Sequence, residues 1–298
     1  MPEQESKIIT LNAGDSSAQI YNGQVVSYIC NGIEYFHGGG KPVELKKGSD
    51  CFGWQNSGIE MFPIIGSTND NKVQIGSKFY PQDKHGVSRS LGHFVERGSV
   101  RDSLFLVQKH DGITHIKNVK YKPGSNSPEF LEWPFAFKLE KKIYLTEEDL
   151  TIGYSLTNLS EEEMPFMFGS HPALKNQGFY KKGIFMIGKH SIEQRTLEQV
   201  IEESTKGSGS LIIKGADKIT YFNEESGRGF KFSSANFPYT AFWSPGEDAG
   251  MFCIEPLTNE PVKPKENRRY FTNPTQHMVL APDQTKSYMF YISPIDKS

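Results

Sequence analysis

Apolar and polar residues alternate with a period of two along much of the chain. In "LTIGYSLTNLS", Leu150, Ile152, Tyr154 and Leu156 alternate with Thr151, Gly153, Ser155 and Thr157. That spacing puts one apolar and one polar face on a strand. Just upstream, "KKIYLTEED" places Ile143 and Leu145 on one side and ends in an acidic turn, so the two segments predict a β-hairpin. Further strands are expected at 25–30, 103–110, 230–234, 251–255 and 287–293. Helical periodicity is weak. The best candidate, 191–205, has Ser191 as a possible N-cap and fits a helical face only in part, so a short helix and an irregular loop both remain open.

Short strands separated by turn clusters across a whole chain predict an all-β protein, a large antiparallel β-sandwich or barrel with few short helices. Composition agrees. The 298 residues include 21 Phe and 13 Tyr, which suit strands, and 28 Gly and 17 Pro, which suit turns. No repeat or boundary is visible, so residues 1–298 are read as a single domain.

Charge narrows the partners. With 33 basic and 35 acidic residues the net charge is −2, without the basic excess expected of a nucleic-acid binder. No apolar run approaches the roughly 20 residues of a membrane helix, and the first residues lack a signal-peptide pattern. The expectation is a cytoplasmic protein handling a small polar molecule, without nucleic-acid or membrane partners, as monomer or homodimer. Cys30, Cys51 and Cys253 suggest neither a disulfide framework nor a zinc site. No histidine pair has metal-ligand spacing with a third ligand nearby, so no metal is expected.

Three segments could carry chemistry. In "KHGVSR", Gly86 after His85 allows a tight turn and close approach of a ligand to the backbone; taken alone, the segment reads first as a solvated surface loop. In "FMFGSHPAL", Pro172 pushes His171 out of helical geometry at the end of an apolar run, where a histidine either faces a cleft or satisfies a carbonyl. In "MFCIEPLTNEP", Glu255 ends an apolar run, where a carboxylate is costly unless paired or used. Partial burial would raise its pKa and make it a better base near neutrality.

Taken together and in this order, the three segments resemble the aldose 1-epimerase (galactose mutarotase-like) family, above all its bacterial LacX-like branch. "MFPIIG" followed by "HGVSR" is similar to that branch's "LFPIVG" and "HGFAR"; "GSHPAL" to "GxHPAF"; and "PYTAFWS" with "FCIEPL" to "PYLGIWS" and "FCIEPW". The likeness spans nearly the whole chain. It implies a galactose mutarotase-like supersandwich with a sugar-binding cleft, and interconversion of the α and β anomers of a hexose without a cofactor. It implies roles for Glu255 as general base, His171 as general acid and His85 as the histidine that binds and polarises the sugar. Two departures concern the substrate. Ser67 stands where the family commonly has a sugar-binding arginine, with Arg89, at another family position, as a partial substitute. Leu257 stands where an aromatic platform is common. A sugar phosphate or unusual aldose is therefore a second expectation, with Arg268 and Arg269 as possible phosphate ligands, and a non-catalytic carbohydrate-binding protein a third.

Overall fold

The structure, a computed structural model, describes residues 8–37, 58–92, 94–178, 180–188, 193–206, 209–246, 249–261 and 271–298. Two antiparallel sheets pack face to face. The nine-stranded sheet runs, edge to edge, through strands Glu193–Thr196, Gly183–Ile187, Lys218–Asn223, Arg228–Ala235, Thr285–Asp296, Leu150–Asn158, Ala136–Leu145, Ser103–Asp111 and Phe94–Val100. The smaller sheet runs through Leu211–Lys214, Tyr239–Trp243, Met251–Leu257, Gly169–His171 and Ile59–Met61, with Ala173–Lys175 also paired to Met251–Leu257. A four-stranded meander, from Ile8–Ala13 to Ile33–Glu34, adds the N-terminal part. The predicted all-β supersandwich is the observed fold.

The hairpin expected around 146–149 closes with Leu145 opposite Leu150 and a Thr146 N–H to Asp149 C=O bond of 2.8 Å. Its inward residues, Phe137, Leu139, Ile143, Leu150, Ile152 and Leu156, are buried. They belong to one core with Met61, Phe252 and Ile254 of the smaller sheet. Aromatic contacts tie the layers together, with Phe185 5.1 Å from Phe252 and 5.4 Å from Phe242 between ring centroids.

The 191–205 segment contains the short helix, and what precedes it is a strand rather than an irregular loop. Strand Glu193–Thr196 leads into helix Leu197–Lys206. The cap is Thr196, not Ser191, which lies outside the described residues. Gln199 N–H donates to the Thr196 hydroxyl at 3.1 Å, and the Gln199 side chain accepts from Thr196 N–H at 2.8 Å. This reciprocal pair is a capping box, so "TLEQ" carried the start signal. A second, one-turn helix, Ser88–Leu91, lies beside the candidate site. No described helix is long and apolar enough to cross a membrane.

Candidate functional site

Strand register assembles the first half of the site. Gly169 is opposite Leu257, and Ala173 is opposite Cys253. The same antiparallel register sets His171 across from Glu255, and the two side chains meet with Nε2 and Oε1 3.3 Å apart. Pro172 interrupts the strand just after His171, as the sequence suggests. Glu255, by contrast, lies inside strand Met251–Leu257 rather than at its end. Both groups are buried. Beside them on the same face stand Cys253, Met251, Ala173 and Trp243, the last with its ring 6.1 Å from that of His171.

A loop brings the second histidine. His85 has φ 68° and Gly86 φ 78°, two consecutive left-handed residues. The backbone is held there by Phe62 N–H to His85 C=O (3.1 Å) and Val87 N–H to Phe62 C=O (2.7 Å). Gly86 is required: a Cβ on it would lie 2.2 Å from the Phe62 carbonyl oxygen. Across the neck of the loop, His85 N–H donates to Gly66 C=O at 2.8 Å, and Gly66 N–H donates to His85 Nδ1 at 3.1 Å. His85 is thus buried rather than a solvated loop residue, and its ring packs edge-on against His171 at 5.5 Å.

The electrostatics follow from burial. Desolvation pushes Glu255 up to about 8, with Lys84 opposing the shift. Desolvation pushes His171 down to about 3, helped by the positive charge of Lys84. His85 is driven well below the ordinary histidine value by burial first, then by neighbouring His171 and Lys84. Between pH 3 and 8 the His171–Glu255 pair therefore holds one proton between its two members. His85 has a settled tautomer. Its Nδ1 accepts from Gly66, so Nε2 carries the hydrogen, and Nε2 is buried without a partner. The site thus contains a one-proton acid–base pair next to a neutral donor.

Arg89 lies on helix Ser88–Leu91, buried and ion-paired with Asp83. Its Nε and Nη1 have no partner. The helix is fastened to the larger sheet through Gln108, which accepts from the Ser88 hydroxyl (2.7 Å) and donates to the Gly92 carbonyl (2.9 Å). Ser67 follows Gly66 at the loop neck and is half-buried. Leu257 is buried in the core and packs on Gly169. The aromatic ring beside the histidine comes from Trp243, a residue the sequence reading left without a role. Asp83 and Lys84, immediately before His85, were also passed over, although their charges flank it. Arg268, Arg269 and Cys51 lie outside the described residues.

Comparison with known proteins follows the same outline. The family model for aldose 1-epimerase matches residues 7–199, which include His85 and His171 but not Glu255. No curated protein matches the chain. Among solved structures, a galactose mutarotase related enzyme from Lactobacillus acidophilus superposes with a TM-score of 0.72 at 16% identity, covering 98% of each chain. A galactose mutarotase-like protein from Lactobacillus casei gives 0.72 at 19% identity, covering 97% of this chain and 100% of the other. One from Clostridium acetobutylicum gives 0.72 at 16% identity, covering 98% and 96%. At these identities the structural likeness speaks for the fold.

Proposed function

The chain belongs to the aldose 1-epimerase family, and from that premise we propose that this isomerase interconverts the α and β anomers of a hexose through His171, Glu255 and His85. The observation that carries this reading is the buried His171–Glu255 contact of 3.3 Å. Anomerisation moves two protons on oxygens bonded to the same carbon. The C1 hydroxyl loses its proton and the ring oxygen gains one as the C1–O5 bond breaks and the C1 carbonyl forms. Rotation about C1–C2 and reclosure then reverse both transfers on the other face. Two groups that serve neighbouring oxygens must themselves be near neighbours, and one must hold a proton while the other lacks it. A pair sharing one proton meets both conditions, and it is returned to its starting state at each turnover.

His85 contributes the fixed Nε2–H, a donor suited to a sugar oxygen that gains negative charge during ring opening. Arg89, with two unpartnered N–H groups, and Ser67 at the loop neck are assigned to sugar hydroxyls. No electrons leave the sugar, so this chemistry calls for no redox cofactor.

Lys84 favours a second reading, in which the sugar carries a negative charge. It is exposed, next to His85, and its charge reaches all three central groups. One experiment separates the readings. Polarimetry follows freshly dissolved α-anomers of glucose, galactose and their 6-phosphates, with and without protein. Acceleration of the neutral sugars supports the first reading, and acceleration of the phosphates alone supports the second. Calorimetric binding without acceleration of any sugar would leave a carbohydrate-binding protein and sink the catalytic assignment.

A further inference from the structure

Behind His171, on the opposite face of the same strand, lies a second buried polar cluster. Glu60, in strand Ile59–Met61, forms an ion pair with Lys141 at 2.6 Å, and both are buried. The Glu60 carboxylate also accepts from Gln24 Nε2 at 2.8 Å and from the Tyr154 hydroxyl at 3.3 Å. Lys141 donates to the Gly23 carbonyl at 2.7 Å. The Tyr154 hydroxyl lies 3.2 Å from the Ser170 hydroxyl. Since Tyr154 donates its one proton to Glu60, Ser170 is the donor to Tyr154. A directed chain thus runs from Ser170 through Tyr154 to the carboxylate. The side chains Gln24, Glu60, Lys141, Tyr154 and Ser170 come from five separate strands, and Ser170 is the residue immediately before His171.

Resting on the reading that His171 takes part in anomerisation, we infer that Tyr154, Glu60 and Lys141 are positioning residues that hold His171 opposite Glu255 by fixing the register of its strand. Ser170 is paired with Glu60, and His171 with Ile59. Successive strand residues point to opposite faces. The bond from Ser170 to Tyr154, whose hydroxyl Glu60 orients, forms in the register that sends His171 to the site face. A slip of one residue would turn His171 into the core and Ser170 toward the substrate, breaking the Ser170–Tyr154 bond. Strand Gly169–His171 is three residues long and ends at Pro172; Ala173–Lys175 carries its register onward against Met251–Leu257, and the polar bonds add to it on the side of Ile59–Met61. A buried ion pair contributes little to stability compared with apolar residues of the same size. Its effect here is to select one register.

The test compares two tyrosine hydroxyls of the same core. Tyr154→Phe removes the link to Ser170. Tyr288→Phe removes a buried hydroxyl that has no partner and is the control. Tyr154→Phe is expected to lower kcat about tenfold to a hundredfold, the cost of a small misplacement of a reacting group, with KM unchanged. It is also expected to shift the pH titration of the His171 imidazole, followed by ¹⁵N NMR, while Tyr288→Phe alters neither. Equal kcat and equal His171 titration in the two variants would overturn the inference. If the wild-type protein turns over no sugar, the functional reading falls, and the NMR titration alone then decides whether the cluster positions His171. Should Tyr154→Phe fail to fold, Ser170→Ala cuts the same chain at its other end and is read by the same two measurements with the same outcomes.

Discussion

His171 and Ser170 are neighbours on one strand, yet the two buried polar clusters they enter are built on different terms. On the core side, the Glu60–Lys141 charges meet each other, and further donors from Gln24 and Tyr154 complete the carboxylate. On the site side, His85 Nε2 and two Arg89 nitrogens are buried without partners. There, too, Glu255 and His171 are pushed in opposite directions by the same desolvation. Unmet polar groups in a dry place cost stability, and beside the His171–Glu255 pair these donors are placed to meet a ligand. The difference between the clusters thus separates a structural use of buried charge from a chemical one.

Substitution at the centre of the site should break this contrast most strongly. Glu255→Gln keeps the shape but removes the group that gives up and takes back the pair's proton. Its kcat in polarimetric assays is expected to fall by about 10²–10⁴-fold, with sugar binding retained in calorimetry. On the core side the same order of energy should appear as stability instead. Lys141→Ala is expected to lose about 3–5 kcal/mol in urea unfolding, because Glu60 is left buried and unpaired, whereas Glu60→Leu with Lys141→Met should be close to neutral. A core cluster that tolerated the single change as well as the double would abolish the distinction.

The pH dependence sharpens it further. In the proposed mechanism the His171–Glu255 pair works with one proton, so kcat/KM is expected to fall tenfold per pH unit above about pH 8, where Glu255 releases that proton. Stability follows the same group. The folded protein holds the Glu255 proton above the ordinary carboxylate value of 4.5. The contribution is therefore fully present below 4.5 and is lost as pH rises through about 8. In Glu255→Gln this decline should disappear, so urea midpoints of the variant and the wild type should diverge as pH rises from 5 to 8. The smallest effect is expected at the rim. Arg89→Lys keeps the charge but loses the planar fork, and should raise KM about tenfold, the loss of about one charge-assisted hydrogen bond; an unchanged KM would remove Arg89 from the sugar.

Much of this was legible in the chain, and the limits have physical causes. Alternation from Leu150 to Leu156 identifies a strand because one face is buried and the other only half-buried. Turn residues around His85 and Pro172 after His171 mark where strands stop. What alternation cannot give is which strand lies beside which. The meeting of His171 with Glu255 depends on pairing between segments more than 80 residues apart, a separation the residue numbers themselves show. One signal was present and passed over. Phe137, Leu139, Lys141, Ile143 and Leu145 are successive inward positions of one strand, and the lysine among them is the only charged member. A charge at an inward position announces a buried partner, though not that the partner is Glu60. Trp243 was hidden for a similar reason: its place beside His171 follows from its register opposite Cys253.

The bonds between Gly66 and His85 close the neck of the excursion that runs out through hairpin Lys72–Ile75 and Lys78–Pro81 and back. The excursion is therefore a head on a sealed stem. Changes of length in a closed loop cost little, because closure entropy grows only with the logarithm of loop length. The stem admits no such freedom, since Gly86 is pressed against the Phe62 carbonyl. Ser67 sits where the head leaves the stem and Lys84 where it returns. Val73 anchors the head in the main core, so changes of length are expected to be tolerated at the hairpin tip between Ile75 and Lys78, while the histidine at the base of the stem stays where it is.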